Sequence, residues 1–238
     1  MAVRMLRSTR SIGLVLLATL CLAPALALGA LPARLASAEP VFGPPLAGPP
    51  GPDHWFISQW YGNTVWAYQN RSQVYGAGQG IHFGVDFATP CGTAVIAVGD
   101  GTIFAVDGPY GSAPHNLVIR HPNGLFSLYG HLLERPTIAV GTAVRKGDRV
   151  ALSGDPSGER CDIEPHVHLE IRRAGMSEAI NPVPLVALDW ERAAIGLRRN
   201  GLRFEIDLDD PAPWTTPADQ PDIVFGQRLL NDFRRAWP

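Results

Sequence analysis

The chain has 238 residues, of which 46% are hydrophobic and 18% charged, a globular composition with enough apolar material for one main core and some attachments. With Lys+Arg 20 against Asp+Glu 22 the formal net charge is -2, so no basic field draws in nucleic acid or an anionic membrane surface, and both are disfavoured as partners. Glycine (25) and proline (22) punctuate short apolar runs throughout, which suits many turns and short strands and leans the composition towards all-β.

At the N-terminus, Arg4, Arg7 and Arg10 precede an uncharged apolar run from Ile12 to Leu31, and Ala36-Ser37-Ala38 offers small residues for cleavage. Residues 1–38 therefore read as an export signal cut after Ala38, the alternative being an uncleaved anchor of about bilayer-spanning length. Leu20 before Cys21 makes a poor lipidation signal. Removal of Cys21 leaves Cys91 and Cys161, and in an oxidising compartment two remaining cysteines favour one disulfide over two buried thiols. Residues 39–54 (EPVFGPPLAGPPGPDH) are poor in bulky apolar residues and read as a semi-extended linker.

From residue 55 to 184 short apolar or alternating runs follow one another: IHFGVDF, TAVIAV, TIFAV, LVIRH, LFSLYGHL, RVALSG and PHVHLEI, separated by Gly-rich turns. Pro122-Asn123-Gly124 is the clearest hairpin turn among them. Beyond 184 the pattern changes. LVALDWERAAIGLRR has helical spacing with acids early and arginines late, LRFEIDL reads as a strand, and FGQRLLNDFRRAWP as a short final helix. Residues 185–238 carry no recognisable chemistry and read as a packing extension.

Four of the seven histidines fall in three of the strand-like runs. Alternate residues of a strand share a face, so His82, Gly84 and Asp86 would project together, as would His166, His168 and Glu170, with Val167, Leu169 and Ile171 turned to the core. His131, closing LFSLYGHL, would share the face of Tyr129. Zinc suits imidazole and carboxylate donors, and in catalytic sites it keeps one position for water. Two histidines and one aspartate supply three such ligands, although spacing does not decide whether His166 or His168 is one of them. The helical HExxH arrangement with its glutamate base is absent. Surplus histidines are then the natural groups for proton transfer and oxyanion stabilisation. His54, His115 and His121 read as surface or satisfied residues, His121 facing water beside its turn.

With HFGVDFATPCGT, AVGDGTIFAV, LFSLYGHL, VRKGDRVALSGDPSG, PHVHLEI and INPVP in this order, the chain resembles the lysostaphin/LytM-type zinc endopeptidases over roughly residues 55–184. The resemblance implies an all-β domain whose antiparallel sheet core, barrel-sandwich-like, carries an open groove, here followed by a short mixed extension. It implies zinc held by His82, Asp86 and His168, catalytic roles for His131 and His166, and an oxyanion role for Tyr75. It also implies hydrolysis of peptide bonds in bacterial peptidoglycan by an exported monomer with no stable membrane association once the signal is removed. A noncatalytic wall-binding or activator module, and an endopeptidase for secreted proteins, are the competing readings. The paired cysteines and the extension after Pro184 depart from familiar relatives.

Overall fold

The computed structural model describes residues 40–197 and 199–237; the expected signal segment 1–38 and Cys21 lie outside them. The described strands are β1 (Phe56–Gln59), β2 (Val85–Ala88), β3 (Ala94–Ile96), β4 (Gly101–Val106), β5 (His115–Arg120), β6 (Phe126–Leu132), β7 (Ala143–Val144), β8 (Arg149–Leu152), β9 (His166–Arg173), β10 (Glu178–Ile180) and β11 (Ile223–Val224). Nine of them form one antiparallel sheet in the order β1-β2-β9-β6-β5-β4-β7, with β10 pairing β9 and β11; β3 and β8 make a separate ribbon. The expected all-β, antiparallel class is thus what the chain adopts.

Period-two patterning explains the central strands. On β9, Val167, Leu169 and Ile171 are fully buried in the core with Phe87, Leu117 and Ile119, each such side chain contributing about 1.5–3 kcal/mol relative to exposure. The opposite face of β9 carries His166, His168 and Glu170, also buried, so this strand is covered on both sides and only one side is apolar. The Pro122-Asn123-Gly124 turn joins β5 to β6 as expected. Gly124 has φ +82° and the Asn123 side chain accepts from Leu125 N at 3.1 Å.

Three expectations fail on the flanks. Residues 40–54 are not a free linker: Phe42 and Leu46 are 2% and 0% exposed. Phe42 exchanges backbone hydrogen bonds with Leu185 and Ala187, while Gly43 N donates to Val98 O and Ile96 N, at the end of β3, donates to Pro45 O. Two bulky residues are enough here, because neighbouring unpaired backbone accepts the rest of the strap. After residue 184 the expected short amphipathic helix is cut to single turns, α2 (Trp190–Ala193) and α3 (Arg199–Leu202), with Trp190 packed against Trp60 at 5.5 Å. LRFEIDL and the final segment form isolated bridges, Thr64 with Phe204 and Asp207 with Ala236, instead of a strand and a helix. There the backbone donors go to other parts of the fold, Gly226 N to Ala77 O and Leu230 N to Gln79 O. Tertiary partners outcompete local helix propensity in this extension.

Candidate metal and active site

β2 lies between β1 and β9, and its register sets Asp86 opposite His168. His82 stands ahead of β2, in a bridge with Gly62; IHFGVDF is therefore not one continuous strand, yet His82 and Asp86 still converge, Nε2 to Oδ1 at 3.4 Å. Gly84 is required by what lies above it. A Cβ there would sit 2.5 Å from the His168 ring.

His82 Nε2, Asp86 Oδ1 and His168 Nδ1 form a tight triangle, with His168 to His82 at 3.2 Å and His168 to Asp86 at 2.7 Å. Donors bound tetrahedrally to zinc at about 2.0–2.2 Å stand roughly 3.3–3.5 Å apart. Two edges already match, and the third opens by well under 1 Å. The remaining nitrogens are occupied elsewhere: His82 Nδ1 donates to Trp60 O at 2.7 Å, and His168 Nε2 to Glu170 Oε1 at 3.2 Å. These bonds select the tautomers that leave the lone pairs facing the triangle. The donor set fits zinc.

Two more imidazoles border the triangle in the same way. His166 gives Nδ1–H to Glu164 O at 2.6 Å and its Nε2 lies 3.7 Å from Asp86 Oδ1. His131 gives Nδ1–H to Ala113 O, and its ring is centred 4.8 Å from His166 and 5.7 Å from His168. Strict alternation would have turned His131 to the core with Tyr129, which is fully buried with its hydroxyl accepting from Val98 N. His131 instead has φ +54°. This left-handed residue, costly for a non-glycine, breaks the period of β6 and swings the imidazole to the face of Gly130, which pairs with His168.

Electrostatics follow from burial and these pairings. Burial raises the Asp86 carboxyl, but the charges of His82 and His166 and the hydrogen bonds from His168 and His82 outweigh it and hold the group well below the usual carboxylate range. Burial opposes charge on His168, yet Asp86 and Glu170 lift it to about 9. For His131, burial and the neighbouring His166 and His168 act together to push the imidazole down. Glu170 is fully buried and forms a two-point pair with Arg172, Nε to Oε2 at 2.6 Å and Nη2 to Oε1 at 3.0 Å. Sequence reading placed Glu170 on this face without a role; its continuation of the HxH period was the available signal.

The triangle lies on a cleft of roughly 480 Å³ that His131, His166 and Tyr75 also line. Tyr75 is 7% exposed and donates to Gln59 Oε1 at 3.2 Å; burial, with the Asp86 charge behind it, raises its phenol far above the usual value. Trp66, Val74 and Ile163, 44%, 59% and 66% exposed, add an apolar rim. The segment leading to His166 is held at two points. Cys161 is bonded to Cys91 across a sequence separation of 70. The buried Asp155 carboxylate accepts from Ser157 N at 2.7 Å, Ile163 N at 3.1 Å and Glu164 N. Asp155 is a contributor that sequence reading missed.

The other histidines stay out of the cleft. His54 is exposed and His115 pairs with Asp107 at 3.0 Å. His121, expected to face water, is 4% exposed and bridges Asp100 O and Ser127 Oγ at 2.8 and 2.9 Å, because the hairpin folds its ring inward against Phe42.

Residues 80–182 match Peptidase family M23. The chain is 38% identical over 105 residues to the DD-carboxypeptidase/endopeptidase Mpg of Neisseria meningitidis, an alignment that takes in 43% of this chain and 22% of Mpg. It is 37% identical over 93 residues to the murein hydrolase activator EnvC of Escherichia coli, 39% of this chain and 20% of that one. The chain thus spans about a fifth of the length of the curated relatives it matches. Among solved structures, the catalytic domain of the peptidase lysostaphin from Staphylococcus simulans aligns at 25% identity and TM-score 0.43, over 55% of this chain and 90% of that one. The segment that matches Peptidase family M23, residues 80–182, contains all five of the residues gathered at this cleft, His82, Asp86, His131, His166 and His168.

Proposed function

We propose that this protein is an exported zinc endopeptidase that hydrolyses peptide bonds of bacterial peptidoglycan. The observation carrying this reading is the convergence of three ligand atoms, within 2.7–3.4 Å of one another, with two further imidazoles in one open cleft. His82, Asp86 and His168 would hold the metal. When bound, zinc supplies Lewis acidity, polarising a peptide carbonyl and letting water act as a nucleophile near neutral pH. His166 and His131, each with Nδ1 bonded to a backbone carbonyl, line the cleft and move the protons through Nε2: one accepts from the attacking water, the other delivers to the leaving amine. Tyr75, whose hydroxyl donates to Gln59 Oε1 at 3.2 Å, would turn that one O–H from Gln59 to the developing oxyanion.

The likeness to the peptidoglycan DD-endopeptidase ShyB of Vibrio cholerae, 37% identical over 91 residues, 38% of this chain and 20% of that one, supports the wall peptide as substrate and, with it, the cell envelope as the working compartment. Residues 1–38 would serve export, residues 55–184 catalysis as a monomer, and residues 185–238 would extend the domain. The likeness to an activator favours one rival, a noncatalytic module that keeps a metal for stability. Such a module has no use for His131 and His166 beside the ligands.

The test is mass spectrometry of fragments released from purified sacculi by the zinc-loaded protein, with His131→Ala and His166→Ala beside wild type. Release of defined peptides, reduced about 10²- to 10⁴-fold in each variant, is expected. Wild-type protein that retains metal yet releases nothing would leave the activator reading in possession.

A further inference from the structure

A second, smaller cavity of about 360 Å³ adjoins the metal cleft, and the Phe83 ring lines both. Phe83 follows His82 and packs edge-on to His168 at 5.7 Å on one side and to Phe225 at 5.4 Å on the other. Tyr110 and Met176 complete the apolar lining. Its one charged side chain, Arg172, is already engaged: its guanidinium pairs with Glu170, donates to Tyr110 O at 2.8 Å and lies 4.4 Å from the centre of the Phe225 ring. The cavity therefore offers aromatic faces and a thioether, with its cation neutralised inside the wall.

Phe225 belongs to the extension, and it is firmly placed. β11 adds to the sheet through β10, Phe225 N donates to Ser177 O at 3.1 Å, and the following Gly226 N donates to Ala77 O at 2.9 Å. The extension thus builds a wall next to the metal cleft, beyond the ligand triangle.

We propose that this cavity is a substrate subsite, built partly by the extension, that receives an uncharged apolar stretch of the substrate peptide running past Phe83 from the scissile bond. The assignment rests on the endopeptidase reading above and adds to it which substrates bind well. Phe83, which lines both, sets the cavity next to the metal cleft, and the lack of a free charge selects against an acidic or basic residue at this point, since burying one without a partner is costly. Aromatic walls hold apolar side chains by area and by edge contacts.

The experiment compares wild type, Phe225→Ala and Tyr110→Ala on a nested set of muropeptides truncated stepwise on either side of the cleaved bond, with zinc content measured for each protein. KM for the longest peptides is expected to rise about three- to tenfold in both variants, with kcat and metal content unchanged and the shortest peptide indifferent to either change. Because the two residues form one wall, the double variant should lose less than the product of the single effects. Phe225→Leu, which keeps apolar volume, guards against a folding defect and should fall between wild type and Phe225→Ala. Equal KM values for all proteins at every length, or the same loss on short and long peptides, would overturn the subsite alone. Wild type that cleaves no muropeptide would remove the endopeptidase reading and the subsite with it.

Discussion

The sheet segment from β2 to β9 and the extension after residue 184 solve the problem of order in different ways. In the sheet, regular backbone pairing fixes side-chain direction: Asp86 opposes His168, Gly130 also opposes His168, and three imidazoles and a carboxylate meet with little help from loops. In the extension, regular pairing is sparse and buried polar side chains do the fastening. Asn231 donates to Gly80 O at 2.6 Å and to Asn63 Oδ1 at 2.7 Å, Gln220 accepts from Asn63 N at 2.7 Å, and Tyr61 reaches Pro221 O at 2.8 Å. Positioning of reactive groups resides in the sheet, and the extension braces the chain that leads into His82.

Changes in the two regions should therefore separate chemistry from stability. The largest effect is expected for His82→Ala, which removes one corner of the triangle: zinc content by elemental analysis should fall to background and hydrolysis with it, while the metal-free variant still folds, with a melting temperature lowered only by the loss of the buried bond to Trp60 O. Full zinc retention by this variant would show that the triangle is not the metal site. Next comes Glu170→Gln, which keeps shape but weakens the acceptor for His168 Nε2–H and leaves Arg172 without its carboxylate. Outer partners of ligating histidines typically contribute 10- to 100-fold in metal affinity. A competition titration with a chelating dye should show a loss of that size, and unchanged affinity would mean that backbone packing alone orients His168.

How much of this was legible beforehand follows the same division. HxH was readable because strand periodicity ties sequence spacing to direction, and on β9 residues 166–171 sort correctly into site and core; HxxxD converges although His82 stands ahead of β2 in a bridge with Gly62. His131 reached the site although the alternation pointed it away, since a positive φ at one residue leaves no mark on the hydrophobic pattern. Asp155 was invisible for a related reason: its carboxylate meets backbone N–H groups up to nine residues ahead, and main-chain donors have no sequence signature. In the extension, LVALDWERAAIGLRR carried a genuine helical pattern, but Trp190 found Trp60 and Ala193 the core, contacts no local window contains. Residues 40–54 misled in the opposite direction. Their prolines and glycines suggested a spacer, and only Phe42 and Leu46 betray the strap.

The smallest expected change tests the bracing role directly. Asn231 is fully buried, and its amide lies where a side chain at Gly80 would be. Asn231→Ala leaves Gly80 O and Asn63 Oδ1 without this donor, a cost of about 1–3 kcal/mol when water cannot replace it. Its own carbonyl oxygen has no partner in the wild type, so removing it returns part of that cost and places the change towards the lower end. A domain of this size loses about 2–4 °C in melting temperature per kcal/mol, which differential scanning calorimetry resolves. Zinc affinity and kcat on a short peptide should stay within about twofold, since His82 is also fixed by Trp60 O and by its bridge to Gly62. A variant that melts like wild type but loses metal would reverse the assignment, making the extension part of the ligand scaffold and the division between the two regions a matter of sequence order alone.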